Sequence, residues 1–211
     1  MLEDLLPLDD LNDGIDSPAA KAINARLKTM SGQEQASFDE DIGRISGYAH
    51  GTNVADIALD GNGAAQIVIV RNEWWHGSPP EPCWSRELAD REAAAMREQL
   101  EFIVASGARV VNMSWGRFEK SYLDNLEACA PQLPLVEREA LARHSVESIR
   151  KVLMDGMQAA PAVLFVGAAG NAGSSLKQAN PATRFSLPNF ILVGAVDKAG
   201  KSADYTNTGP E

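Results

Sequence analysis

The sequence predicts an α/β fold built on a parallel sheet. Short runs that are almost wholly apolar alternate with longer amphipathic segments, and such runs are typical of strands covered on both faces. The amphipathic segments are long enough to be the helical connections that parallel strands require. The chain has 211 residues, of which 45% are hydrophobic and 23% charged; this fits a globular domain and excludes global disorder.

Composition also excludes several classes of function. The formal net charge is −10. An acidic chain lacks the basic surface that phosphate backbones require, so we expect no nucleic-acid partner. No apolar run reaches the roughly 18–20 residues of a membrane span. The first ten residues are acidic, whereas a signal peptide begins with Lys or Arg, so no secretory signal can be read.

The two cysteines, Cys83 and Cys129, are too few for a disulfide framework or a zinc site. They either form one disulfide or remain as two buried thiols. We favour the thiols.

The elements of the first half follow from the apolar spacing. Residues Ala19–Ile42 predict one or two short helices, with a break at Ser31-Gly32. A buried strand is predicted at Gln66–Val70, before a loop rich in Trp and Pro. Next comes a helix at Arg86–Ser106, because Gly107 stands where a helix C-cap belongs.

The second half continues the alternation. A strand is predicted at Ala108–Met113, and a long loop then leads to a helix at Val136–Ala159 that Pro161 closes. Two further strands are predicted at Val163–Val166 and Phe190–Val193. The sequence therefore contains a series of parallel strands joined by helices.

Ligands of parallel sheets bind beyond the carboxyl ends of the strands. Three segments of small and polar residues follow predicted strands: Ser114–Gly116, Gly167–Gly173 and Asp197–Gly200. We expect at least two of them to share a crevice.

The first candidate for chemistry is His50. Val54, Ile57 and Ala58 have helical spacing and predict that His50 lies in the first turn of a helix. There the helix dipole favours the neutral imidazole that a general base needs. Taken alone, a histidine at a helix start is more often structural.

The second candidate is the segment Ser114-Trp115-Gly116. Ser114 does not fit a nucleophile elbow, since Asn112 stands where that motif needs Gly. A backbone that lies beside an extended ligand explains the segment, and so does a strand that runs into a surface turn.

The third candidate is Asn171, which stands among small residues at a strand end. Its side-chain N–H could meet an oxyanion that develops on a substrate carbonyl. The alternatives are a tight connection that needs small residues and a nucleotide-binding loop. The glycines at 167, 170 and 173 do not have the G-x-G-x-x-G spacing, and no G-K-[ST] follows.

The order of these segments is more specific than any one of them. Together they resemble the subtilisin-like serine peptidases, or subtilases, over about three quarters of the chain. The resemblance implies a three-layer, parallel-sheet subtilisin-like fold, truncated at both ends. Residues 47–211 would be a partial catalytic domain and residues 1–46 an N-terminal insertion or linker, partly helical. The motifs are HGTNVADIA (50–58), VVNMSWG (110–116), FVGAAGNAG (165–173) and the stretch at 187–210.

The resemblance also implies roles for the candidates. His50 corresponds to the general base and Asn171 to the oxyanion donor. Ser114, Trp115 and Gly116 correspond to the strand that pairs with an extended peptide, and Trp115 would wall the adjoining pocket.

Three features depart from the family pattern. The 211 residues contain no Gly-Thr-Ser sequence, so we expect the nucleophilic serine beyond Glu211 and regard the chain as a fragment. The catalytic aspartate lies either upstream of Met1, which we favour, or at Asn12-Asp13, where Asn12 stands in place of the carboxylate. Near the histidine, Asn53 stands where the family has His.

The function implied is that of a serine endopeptidase acting on polypeptides by acyl transfer. No organic cofactor is implied; structural Ca²⁺ is common in the family, but no site can be placed. Subtilases are mostly exported, although the sequence itself leaves the compartment open. The alternatives are a catalytically inactive homologue that binds extended peptides and a nucleotide-binding α/β domain.

Overall fold

The computed structural model describes residues 6–8, 10–11, 15–72, 82–116, 118–176, 184–197 and 199–209, without the side chains of residues 44, 46 and 48. The chain divides into two compact units, Met1–Ile67 and Val68–Glu211. The predicted boundary after residue 46, between an insertion and a catalytic domain, stays a prediction.

The first unit includes the helices α1 at Pro18–Thr29 and α2 at Gly32–Leu59. A capping box starts α2, because the Ser31 hydroxyl accepts from the backbone N–H of Glu34 while the Glu34 carboxylate accepts from that of Ser31. The predicted break at Ser31-Gly32 is confirmed.

The placement of His50 in a first helical turn is wrong. Since α2 starts at its capping box and continues to Leu59, His50 lies about five turns from the beginning of the helix. No proline or new cap interrupts the helix near Gly47 or Gly51. The positive end of the helix dipole therefore does not lie near the His50 imidazole.

The second unit is built on a three-stranded parallel sheet. The strands are β1 at Val110–Met113, β2 at Leu164–Ala168 and β3 at Phe190–Val193, in the order β1-β2-β3. Register pairs Met113 with Gly167 and Ala168 with Val193. The predicted α/β class and parallel sheet are confirmed.

Two long helices, α3 at Arg86–Ala105 and α5 at Leu135–Ala159, pack on one face of this sheet. The other face carries apolar side chains that are exposed, such as Val110 at 61% and Val193 at 49%. The core joins both helices to all three strands through Met96, Leu100, Val111, Met113, Ile149, Val152, Leu153, Met157, Phe165 and Phe190.

One predicted strand is absent. Gln66–Val70 has no regular secondary structure, and Ile69 is 77% exposed. An apolar run becomes a buried strand only where a neighbouring strand offers hydrogen bonds and other layers cover it. None of the described strands pairs with this run.

The predicted long loop before α5 contains a helix, α4 at Glu119–Cys129. Tyr122 and Leu126, one turn apart, are its buried residues and pack beside Trp84. Two buried apolar positions in eleven residues are a weak periodic signal, and the sequence pattern therefore does not predict this helix.

The cysteines form a disulfide, Cys83–Cys129, so the expectation of two buried thiols is wrong. Both residues are exposed. The side-chain oxygen of Asn125, one turn before Cys129, accepts from the backbone N–H of Trp84 at 2.8 Å. This contact holds the segment that contains Cys83 against the end of α4. The Cα atoms of Cys83 and Cys129 are 5.5 Å apart.

None of the described helices is both long and apolar enough to span a membrane.

Candidate active site

A cavity of about 250 Å³ opens at the carboxyl ends of the three strands. It lies where parallel sheets bind ligands. The end of β2, the loop after it and residues following β1 and β3 line the cavity: Asn112, Ser114, Val166–Asn171, Val193–Ala195 and Thr206. The expectation that the segments after Met113 and Val166 share a crevice is confirmed.

The segment after β1 has an unpaired backbone. Ser114 lines the cavity, and its hydroxyl accepts from Nδ2 of Asn112 at 2.9 Å. Among the described residues, none hydrogen-bonds to the backbone of Ser114, Trp115 or Gly116. These backbone groups are therefore available to an extended chain.

Trp115 does not line this cavity. It packs against the core and lines a second cavity, of about 90 Å³, together with Met96 and Leu100 of α3. Of the three residues expected to contact substrate, only Ser114 opens onto the larger cavity, and Gly116 lines neither.

Asn171 lies in the loop that follows β2, and it is exposed at the edge of the cavity. Two glycines with positive φ bracket it, Gly170 at 99° and Gly173 at 58°. No other residue in the described part of the chain hydrogen-bonds to the Asn171 side chain. Its carboxamide N–H groups are thus free to meet a ligand oxygen.

The same loop is unsuited to phosphate. A phosphate loop needs free backbone N–H groups. Here the N–H groups of Ala172 and Ser174 donate to the side chain of Asn207, and that of Gly173 donates to the carbonyl of Tyr205. The nucleotide-binding alternative therefore loses the donors on which it depended.

His50 belongs to the first unit and is exposed. Gly51 beside it has open space where a side chain would extend. The role of His50 as a general base stays a prediction.

Several expectations lie outside the described residues. They include Asn12 and Asp13, the local candidates for the aspartate position. The described part of the chain contains no group of three or more His, Cys, Asp or Glu side chains that could hold a metal ion. We therefore assign no residues to the structural Ca²⁺ that is common in the family.

Sequence reasoning missed Asn112 and Asn207. Asn112 could have been found, since it is the polar residue of an otherwise apolar strand. Asn207 lies in the stretch at 187–210 that resembles the family, but its local sequence, Thr-Asn-Thr-Gly, has the composition of an exposed turn and does not predict a buried side chain. In the structure Asn207 is 3% exposed.

The sequence pattern of the subtilase family matches residues 11–211, nearly the whole chain. The chain belongs to the subtilase family. A search of curated proteins found no match. Membership of this family supports a serine-peptidase function in general, and hence a polypeptide substrate.

Proposed function

We propose that this subtilase is a serine endopeptidase that cleaves peptide bonds by acyl transfer. The observation that carries the proposal is one cavity at the strand ends. Asn171 lies at its edge, and its carboxamide has no hydrogen-bond partner among the described residues; Ser114, which also lines the cavity, begins a backbone segment that is likewise unpaired in the described part of the chain. A peptide hydrolase needs both an extended binding edge and a donor for the oxyanion.

In the proposed reaction an extended peptide pairs with Ser114–Gly116. A serine outside the 211 residues attacks the carbonyl carbon while His50 accepts its proton, and the Asn171 amide N–H stabilises the oxyanion. The tetrahedral intermediate expels the amine, which takes the proton from His50, and leaves an acyl-enzyme. Water then hydrolyses the ester with His50 again as the base.

The aspartate that would orient His50 is proposed to lie upstream of Met1. The rival proposal is an inactive subtilase that binds extended peptides. It is favoured by one observation from the sequence: Asn12 stands at the local candidate position for the catalytic aspartate.

The test compares the product of the complete reading frame with the 211-residue chain. We expect a fluorophosphonate to label the complete protein, and we expect that protein to cleave unfolded casein. H50A should lower turnover by at least about a thousandfold. H144A, which replaces a partly exposed histidine of α5, is the matched control and should keep wild-type turnover.

Peptide binding by a complete protein that neither reacts nor cleaves would establish the inactive homologue instead. Stoichiometric labelling of the 211-residue chain would show that the nucleophile lies within it, contrary to the proposal.

A further inference from the structure

The loop that carries Asn171 is built around one buried side chain, that of Asn207. Its Nδ2 donates to the carbonyl of Ala169 at 2.9 Å. Its Oδ1 accepts from the backbone N–H groups of Ala172 at 3.1 Å and Ser174 at 3.0 Å, and from the Ser174 hydroxyl at 3.1 Å. A single carboxamide therefore binds the chain on both sides of Asn171.

Backbone contacts complete this arrangement. The N–H of Asn207 donates to the carbonyl of Gly170 at 2.9 Å, and the N–H of Gly173 donates to that of Tyr205 at 2.7 Å. A Cβ at Gly170 would lie 2.5 Å from Nδ2 of Asn207. The loop thus closes tightly on the Asn207 side chain, while the Asn171 side chain forms no hydrogen bond to any residue that the structure describes.

We propose that Asn207 is the positioning residue that holds the Asn171 carboxamide in place for catalysis. The inference rests on the proposed function. A hydrogen-bond donor stabilises an oxyanion only where it is already aimed at the atom that becomes charged. A displacement of about 1 Å can cost about a hundredfold in rate. Within the described residues the Asn171 side chain has no hydrogen-bond partner, so the backbone to which it is attached must hold it in position.

The chemistry of the site selects asparagine. Its carboxamide has N–H groups that donate to the carbonyl of Ala169. It also has an oxygen with two lone pairs that accepts from the N–H groups of Ala172 and Ser174. Aspartate has no donor for the Ala169 carbonyl. Alanine leaves that carbonyl and the N–H groups of Ala172 and Ser174 without partners.

The test uses the complete gene product with active-site titration, so that turnover refers to folded enzyme. We expect N207A to lower kcat about ten- to a hundredfold and to change KM less than twofold. N207D keeps the size of the side chain and should lower kcat in the same way. It therefore tests the inference even if N207A fails to fold.

N189A is the matched control. Asn189 is another buried asparagine, and its Nδ2 donates to the carbonyls of Met157, Ala160 and Val163, near the end of α5. It also binds several backbone groups but none in the loop of Asn171. We expect N189A to lower stability and to leave the kcat of the folded enzyme within twofold.

A double-mutant cycle separates the inference from the proposed function. If Asn207 acts through Asn171, N207A should lower kcat no further in an N171A background. Two results would overturn the positioning role alone. One is that N171A lowers kcat while N207A and N207D keep the wild-type kcat. The other is that the effects of N171A and N207A on kcat are additive in the double variant. Unchanged kcat for N171A would overturn the proposed role of Asn171 and this inference with it.

Discussion

Met113 of β1 is aligned with Gly167 of β2 in the parallel register, and this alignment brings Ser114 and Asn171 to one cavity. The two residues are far apart in the sequence. Both residues line the cavity because neighbouring parallel strands have their carboxyl ends at the same edge of the sheet.

The proposed oxyanion role predicts that replacing Asn171 with alanine lowers kcat of the complete protein about 10²–10³-fold, the cost of removing one oxyanion donor. KM should change little, because the donor acts on the transition state rather than on the bound peptide. Steady-state kinetics on a chromogenic peptide measure both constants. N62A, which removes an exposed asparagine carboxamide in the first unit, is the control and should behave as wild type. A wild-type kcat for N171A would contradict the prediction.

An extended peptide that pairs with Ser114–Gly116 should be sensitive to N-methylation in an alternating pattern. Along an extended chain every second N–H faces the neighbouring strand. Methylation of those positions should weaken binding about two- to tenfold for each lost hydrogen bond, and methylation of the intervening positions should have little effect. Titration calorimetry with singly methylated peptides measures the pattern. Equal weakening at every position would exclude pairing of this kind.

The capping box of α2 should open in acid. The Ser31 hydroxyl and backbone N–H donate to the Glu34 carboxylate and hold its pKa below the ordinary value. Because the pKa is lowered in the folded state, the stabilisation is complete above the ordinary glutamate pKa, about 4.3, and is lost as the pH falls through the lower folded value. The amide shift of Ser31, followed by NMR from pH 6 downward, should report this transition.

In E34Q the acceptor oxygen remains but does not titrate, so the Ser31 amide shift should lose this pH dependence. E127Q replaces an exposed glutamate of α4 and should leave the transition unchanged. A transition that persists in E34Q would show that another group causes it.

Reduction of the Cys83–Cys129 disulfide should lower the free energy of unfolding of the second unit by about 2–4 kcal/mol. The disulfide joins residues 46 positions apart and restricts the unfolded chain. Urea unfolding followed by the fluorescence of the buried Trp84 measures the change. The C83S/C129S variant should unfold at the same urea concentration with and without reductant. A wild-type midpoint that does not respond to reductant would contradict the prediction.

The elements with strong periodic patterns were predicted closely. Phe190–Val193 is a strand with the predicted bounds, and the helix predicted at Arg86–Ser106 ends one residue earlier, at Ala105. In both cases the local pattern and the packing favour the same structure. The shared crevice was also predictable, because strand direction alone places the loops at one end of the sheet.

Where packing partners decide the structure, the sequence was a poor guide. Gln66–Val70 has the composition of a strand but no neighbouring strand in the described chain, and α2 extends through residues that suggested a helix start. The disulfide between Cys83 and Cys129 forms beside the hydrogen bond from Trp84 to Asn125, a tertiary contact that the spacing of the cysteines does not reveal.

The sequence by itself determined the family, the α/β class and the candidate residues, because motif order and apolar periodicity are properties of the chain alone. Only the tertiary structure decided that the backbone N–H groups of Ala172 and Ser174 donate to the side chain of Asn207 and are not available to a ligand. Hydrogen bonds between residues 35 positions apart form only when the fold has brought the two segments together, and no local pattern encodes that distance.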